Sequence, residues 1–180
     1  MRAFVAIMVP AGTAARLGAA MVGVAGVRWQ SAEQLHLTLR FLGDVEPPVL
    51  EDLADELERI DMPRFDVALR GAGLFGEGGR ANSLWVGVAP NPVLERLHAK
   101  VERCCLRVGL AGERRTFLPH VTIARFARST PSPTDFVARH TDRDWGTMPV
   151  DRFALVESVP GRDGSRYGLL ATIRLKDECG

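Results

Sequence analysis

Several things are scarce in this 180-residue chain, and each scarcity closes off a class of protein. No stretch approaches the about 20 uninterrupted apolar residues that a membrane-spanning helix needs. Pro10 and Arg16 interrupt the one low-charge region, residues 1–27, which leaves no room for a signal-peptide core. A soluble, cytoplasmic protein with no membrane partner is expected. Only three cysteines are present: Cys104 and Cys105 are adjacent, and Cys179 sits one residue from the end. With no CxxC pair and no even set, a disulfide scaffold is excluded and a reducing compartment fits. Net charge is also nearly absent, since 23 basic residues face 22 acidic ones. That excludes a protein that coats nucleic acid through its overall field, but it leaves a local basic cleft open. Lysine is confined to Lys100 and Lys176, so almost all positive charge is arginine. The guanidinium fork suits phosphate, although genome composition explains the bias equally well. There is no HxxxH or HxxEH cluster, and Glu33 and Asp44 lack ligand spacing. Neither a metal nor any other cofactor is expected. No linker or low-complexity segment divides the chain, so residues 1–180 read as one domain.

What is present is an ordinary globular composition, 46% hydrophobic and 25% charged, arranged in alternating strand and helix patterns. Ala3 to Val9 predicts a buried strand stopped by Pro10, and residues 12–25 predict a helix. Val27 to Gln30 and Leu35 to Leu42 read as strands. In the second, His36, Thr38 and Arg40 share one face while Leu35, Leu37, Leu39 and Phe41 share the other. Pro47 and Pro48 open a helix with Leu50, Leu53, Leu57 and Ile60 on one side. Phe65 to Arg70 is a strand, Gly71 to Gly79 a glycine-rich loop, and Leu84 to Val88 a strand. Asn91 and Pro92 start a helix whose stripe is Leu94, Leu97, Val101, Cys104 or Cys105, and Val108. One of the two cysteines is expected to be buried and the other to be its neighbour. His120 to Phe126 is a strand, and residues 131–140 form a short helix. Val150 to Val159 and Tyr167 to Leu175 are strands joined by the turn Pro160 to Gly164. An α/β or α+β domain follows.

One short pattern occurs twice. His36-Leu37-Thr38-Leu39 recurs as His120-Val121-Thr122-Ile123, each inside a predicted strand. Residues two apart on a strand share a face, so each copy presents an imidazole beside a hydroxyl and buries its apolar partners. Packed as a pseudo-symmetric pair, the two copies would face each other across a cleft. Two imidazoles suit phosphodiester chemistry: one takes a proton from a nucleophile and the other gives one to the leaving oxygen. Threonine hydroxyls can donate to the non-bridging oxygens. Arg125 can add a cationic contact, although strand parity places it opposite His120 and requires the strand to end or twist there. Arg40 has the right parity. A single H-x-T would favour a structural histidine; two copies with matching apolar flanks favour a site.

These motifs are specific together. The sequence resembles the 2H phosphoesterase superfamily, and within it the bacterial and archaeal RNA 2′,3′-cyclic phosphodiesterases, also called 2′-5′ RNA ligases. The resemblance runs from Met1-Arg2-Ala3-Phe4-Val5-Ala6-Ile7 through Arg28-Trp29 and Leu35 to Gly43. It continues through Leu84 to Val88 and Phe117 to Arg125, and ends with Glu157-Ser158 and Gly164 to Tyr167. It implies an α+β fold of two pseudo-symmetric lobes, each a mostly antiparallel sheet with outer helices, around a central cleft. It implies metal-independent opening of an RNA terminal 2′,3′-cyclic phosphate to a 2′-phosphate, with possible 2′-5′ ligase activity. The partner implied is an RNA 3′ end bearing that cyclic phosphate; a closed two-lobe core is expected to be monomeric. By this likeness His120 is the base that activates water and His36 the acid that protonates the leaving 3′ oxygen. Thr38, Thr122 and Arg125 hold the substrate, Arg125 fitting the end of an H-x-T-x-x-R/K pattern. Leu118 departs from the commoner small or polar residue before Pro-His. An alternative within the superfamily is an esterase acting on 2′-5′ oligonucleotides or an ADP-ribose cyclic phosphate.

Phe41, Phe75 and Phe126 are candidates to stack a base. Apolar strand positions put Phe41 and Phe126 in the core, and Phe75 is open to either reading. Arg114 and Arg115 are a solvated loop pair or contacts to an RNA backbone. Trp29, Trp85 and Tyr167 are expected to pack; His98 and His140 are ordinary helix residues. Two rival classes remain. An RNA-binding module is weakened by the absence of the aromatic recognition signature, and it would tolerate loss of both histidines. A metalloprotein using His36 and His120 would be sensitive to chelators.

Overall fold

The computed structural model describes residues 1–77, 80–162 and 164–177. The expectations placed on Gly78, Gly79, Asp163 and Cys179 fall outside them. Among the described residues, nine strands form one sheet: β1 (Arg2–Met8), β2 (Val27–Trp29), β3 (His36–Asp44), β4 (Phe65–Glu77), β5 (Arg80–Val88), β6 (His120–Phe126), β7 (Asp144–Val150), β8 (Arg152–Val159) and β9 (Arg166–Arg174). Four helices accompany them: α1 (Ala11–Ala20), α2 (Pro47–Glu58), α3 (Pro92–Arg107) and α4 (Thr134–His140). All strand pairings between them are antiparallel, which gives the α+β class.

The sheet order is β7-β4-β5-β6-β3-β1-β8-β9, with β2 added beside β6. It divides at the β6–β3 contact into two four-stranded wings. The second wing, β6-β5-β4-β7, comes from one continuous stretch of chain. The first wing, β3-β1-β8-β9, combines both ends of it. The wings meet again at the far side. Asp151 alone separates β7 from β8, Arg64 N–H donates to the Lys176 carbonyl at 2.9 Å, and Lys176 N–H donates to that of Met62 at 2.9 Å.

The helices cross between wings. α1 follows β1 in sequence yet lies against β7, where Arg16 donates to the carbonyls of Trp145 and Thr147 at 3.3 and 2.7 Å. α3 follows β5 yet packs on β3. α2 and α3 bury Leu50, Leu53, Leu57, Leu94, Leu97 and Val101, so burial on one face sets both helices. Burying one such side chain contributes about 1.5–3 kcal/mol. The Asn91 side chain accepts from the N–H groups of Val93 and Leu94 at 3.1 and 3.0 Å, the N-cap expected of it.

Four local expectations need correction. α1 stops at Ala20 rather than residue 25, because Gly23 and Gly26 adopt φ of 74°, where no helix continues. The glycine-rich segment from Gly71 continues β4, whose small residues accommodate the neighbouring strand; a Cβ on Gly73 would overlap the Trp85 indole. Strand β7 was not expected from its sequence, since Gly146 and Pro149 interrupt it. Among the described residues it pairs only with β4, at an edge of the sheet where proline is tolerated. Cys104 and Cys105 are both buried, not one of the two.

Candidate active site

The two histidine motifs lie side by side. β3 and β6 pair antiparallel with Leu37 opposite Val121, the central apolar residues of the two copies. His36 thereby comes across from Thr122 and His120 across from Thr38, on the face away from the buried Leu37 and Val121. All four polar residues are half-buried.

Each imidazole is fixed in the same way. His36 Nδ1 lies 2.7 Å from the Gln34 carbonyl, and His120 Nδ1 lies 2.7 Å from the Leu118 carbonyl. A carbonyl only accepts, so Nδ1 carries hydrogen in both and Nε2 is left for proton transfer. Each ring also sits among aromatics. Phe4 and Tyr167 flank His36 with centroids at 4.8 and 5.1 Å, the tyrosine edge-on. Phe75 and Trp85 flank His120 at 4.7 and 6.2 Å, the phenylalanine edge-on. Trp85 and Tyr167 were expected to pack, and they do, but against the histidines. Phe75 does the same rather than standing free in a loop. The signal for these residues is nonlocal: β5, β4 and β9 deliver them.

Burial lowers both histidine pKa values. That of His36 falls to about 4; the Gln34 carbonyl opposes the fall, and the charges of Arg125 and His120 add to it. His120 is lowered by burial and then by Arg125, with the Leu118 carbonyl opposing. Both imidazoles are therefore neutral near pH 7.

A β-bulge settles the position of Arg125. Trp85 pairs with Thr122 and Leu84 with Ala124, so Ile123 is an extra residue on β6. The bulge resets the alternation: Ile123 and Ala124 are both buried, and Arg125 emerges on the face of His120 and Thr122. Its charge is felt at His36, His120 and Tyr167. With Arg28, its cross-strand neighbour on β2, Arg125 also lines an open groove of 420 Å³.

The same device operates on β3 with the opposite outcome for the sequence reading. Ala6 pairs with Thr38 and Val5 with Arg40, leaving Leu39 as the extra residue. Arg40, expected on the polar face, turns inward and is 8% exposed, while Phe41, expected in the core, is 50% exposed. Phe41 joins the histidine face at 6.2 Å from Phe4. Inside, Arg40 Nε meets Glu102 at 2.8 Å and Nη1 meets Glu113 at 3.0 Å, while Nη2 donates to the Ala111 carbonyl. Glu113 in turn accepts from the backbone N–H groups of Arg114 and Arg115. Those two arginines cap a loop that Arg40 holds from beneath. Phe126 is buried as expected. His98 stacks on Phe117 at 3.9 Å and its Nδ1 lies 2.9 Å from the Leu39 carbonyl; His140 lies against Phe136 and Trp145. No group of three His, Cys, Asp or Glu side chains among the described residues is placed to hold a metal, and no described helix is long and apolar enough to cross a membrane.

This geometry has relatives. Residues 14–162 match the family model of the 2′-5′ RNA ligase superfamily. An RNA 2′,3′-cyclic phosphodiesterase of Aeropyrum pernix is 34% identical over 145 residues, covering 79% of this chain and 82% of its own length. One from Thermus thermophilus is 34% identical over 192 residues, covering 100% of this chain and 93% of its own. Among solved structures, apo E. coli LigT is similar with a TM-score of 0.78 at 28% identity, covering 98% of both chains.

Proposed function

This chain belongs to the 2′-5′ RNA ligase superfamily, and we propose that it opens the 2′,3′-cyclic phosphate at an RNA 3′ end to a 2′-phosphomonoester. The observation that carries the proposal is the matched pair of H-x-T segments on adjoining strands, each with its Nδ1 hydrogen committed to a carbonyl two residues back. Activities named for the relatives above support it.

In this reading His120 Nε2 takes the proton of a water that attacks phosphorus. His36 Nε2, protonated, gives its proton to the departing 3′ oxygen. Thr38 and Thr122 donate to the non-bridging oxygens, and Arg125 offsets the charge that grows on them. An anionic phosphate between the rings raises the depressed histidine pKa values, so the acid acquires its proton as substrate binds. Phe41, on the same face, offers the terminal base an aromatic surface. The buried, free thiols of Cys104 and Cys105 agree with a reducing cytoplasm, and we infer a monomer.

The test is turnover of an oligonucleotide ending in a 2′,3′-cyclic phosphate in excess chelator, with His36→Ala and His120→Ala alongside and the product phosphate located. Wild-type release of a 2′-phosphate is expected, reduced about 10²–10⁴-fold in each variant. Turnover untouched by either substitution would overturn the proposal.

A further inference from the structure

A cavity of 980 Å³ does not contain either histidine but adjoins one of them. Met8, in its wall, is the cross-strand partner of His36. Met8 and Ala154 line the cavity and also belong to the apolar cluster of Phe4, Ala6, Val156 and Tyr167 that surrounds His36. One apolar floor thus runs from the histidine site into the cavity, where Leu169, 59% exposed, extends it. Three arginines stand around this floor: Arg64, Arg96 and Arg152. Arg64 is paired with Asp177, and Arg152 with Asp151 at 2.9 Å. Arg96, exposed on α3, has no ion pair among the described residues. Asp66 and Asp151 are the acids in the wall.

We propose that this cavity is the subsite for the nucleotides immediately 5′ of the cyclic-phosphate end, and that it makes the enzyme prefer RNA ends over cyclic mononucleotides. The inference rests on the reading above that the histidine site takes such an end. A strand whose terminus lies between the histidines has to leave the cleft, and past Met8 it enters the cavity. Single strands are held by apolar surfaces under the bases and cations along the phosphates, and both are present here. The volume is at the upper end of the range for a small-molecule site, more than a terminal nucleotide seated at the histidines would use. With a net charge of +1, the protein has no general field to gather RNA, so any preference for a longer strand has to come from local contacts. Arg96 makes the leading phosphate contact, because it forms no ion pair among the described residues. The exposed pairs of Arg64 and Arg152 are worth little and can exchange partners for a phosphate.

Steady-state kinetics on a 2′,3′-cyclic mononucleotide and on a single-stranded tetranucleotide with the same end test this directly, in the wild type, Arg96→Glu and Leu169→Glu. The wild type should show KM at least about tenfold lower for the tetranucleotide. Each charge substitution should raise that KM about tenfold, leave mononucleotide turnover unchanged, and in Arg96→Glu flatten the salt dependence. Equal KM values for the two substrates in the wild type, or a tetranucleotide KM indifferent to both substitutions, would overturn the subsite. If neither substrate turns over, the functional reading fails, and fluorescence anisotropy with a tetranucleotide ending in a 2′-phosphate still reads the cavity. About tenfold weaker binding in Arg96→Glu supports it, and unchanged binding overturns it.

Discussion

The two motifs, His36 to Phe41 and His120 to Arg125, share a backbone path and differ in chemical character at two positions. Both carry His-apolar-Thr-apolar, both bulge after the threonine, and both bury the next two residues before the chain returns to the cleft. At the inward position the first has Arg40 and the second Ala124. At the outward position the first has Phe41 and the second Arg125. The symmetric part of the site supplies two proton-transfer groups and two hydroxyls. The asymmetric part distinguishes one end of a substrate from the other, with an aromatic surface on one side and a cation on the other. A nucleoside phosphate is itself a base joined to a charge, and under the proposed function the second pair of positions would orient it.

Substitutions can test this comparison, beginning with the largest effect. Arg40→Met should cost about 3 kcal/mol of stability, because it leaves Glu102 and Glu113 facing a partly buried gap. Urea unfolding should show a lower midpoint, and adding Glu113→Gln should recover part of the loss. Under the proposed function, Arg125→Ala should reduce kcat/KM about 100-fold, since it would remove a charge facing the developing oxyanion. Phe41→Ala should act mainly on KM, about tenfold, with kcat little changed. If the two outward positions are interchangeable, the double substitution Phe41→Arg with Arg125→Phe would keep activity; we expect it to lose more than Arg125→Ala alone.

The last comparison is one of pH. His36 is held near pKa 4, below its usual 6.5. Between those values the unfolded chain binds a proton that the folded chain refuses, so stability rises with pH across the window. Acidification from about 6.5 toward 4 should lower the unfolding midpoint, at up to about 1.4 kcal/mol per pH unit from this residue. His36→Phe should flatten that slope, as measured by thermal melts at each pH.

Much of the first wing was legible from alternation alone, and the repeated motif located the site because identical residue types need identical neighbours. The bulges were not legible, because each depends on how the partner strand pairs. Phe41 was therefore assigned to the core and Arg40 to the surface, the reverse of what the structure shows. One signal was available: aligning the two copies sets Phe41 over Arg125, so the two share an orientation. The aromatic flanks of the histidines were invisible for another reason. Tyr167 lies 131 residues from His36 in sequence, and no local pattern connects them. Strand β7 is not legible because its glycine and proline contradict strand propensity, and its edge position is what tolerates them.

The order in which the wings are built has a consequence for how the molecule comes into being. During synthesis, β4 to β7 emerge together and their wing can close on itself. The wing around His36 cannot, because β1 waits for β8 and Tyr167 arrives only with β9. A nascent chain already carrying both histidines lacks the wall that seats one of them until β9 has been made, so the two matched halves of the site mature at different times.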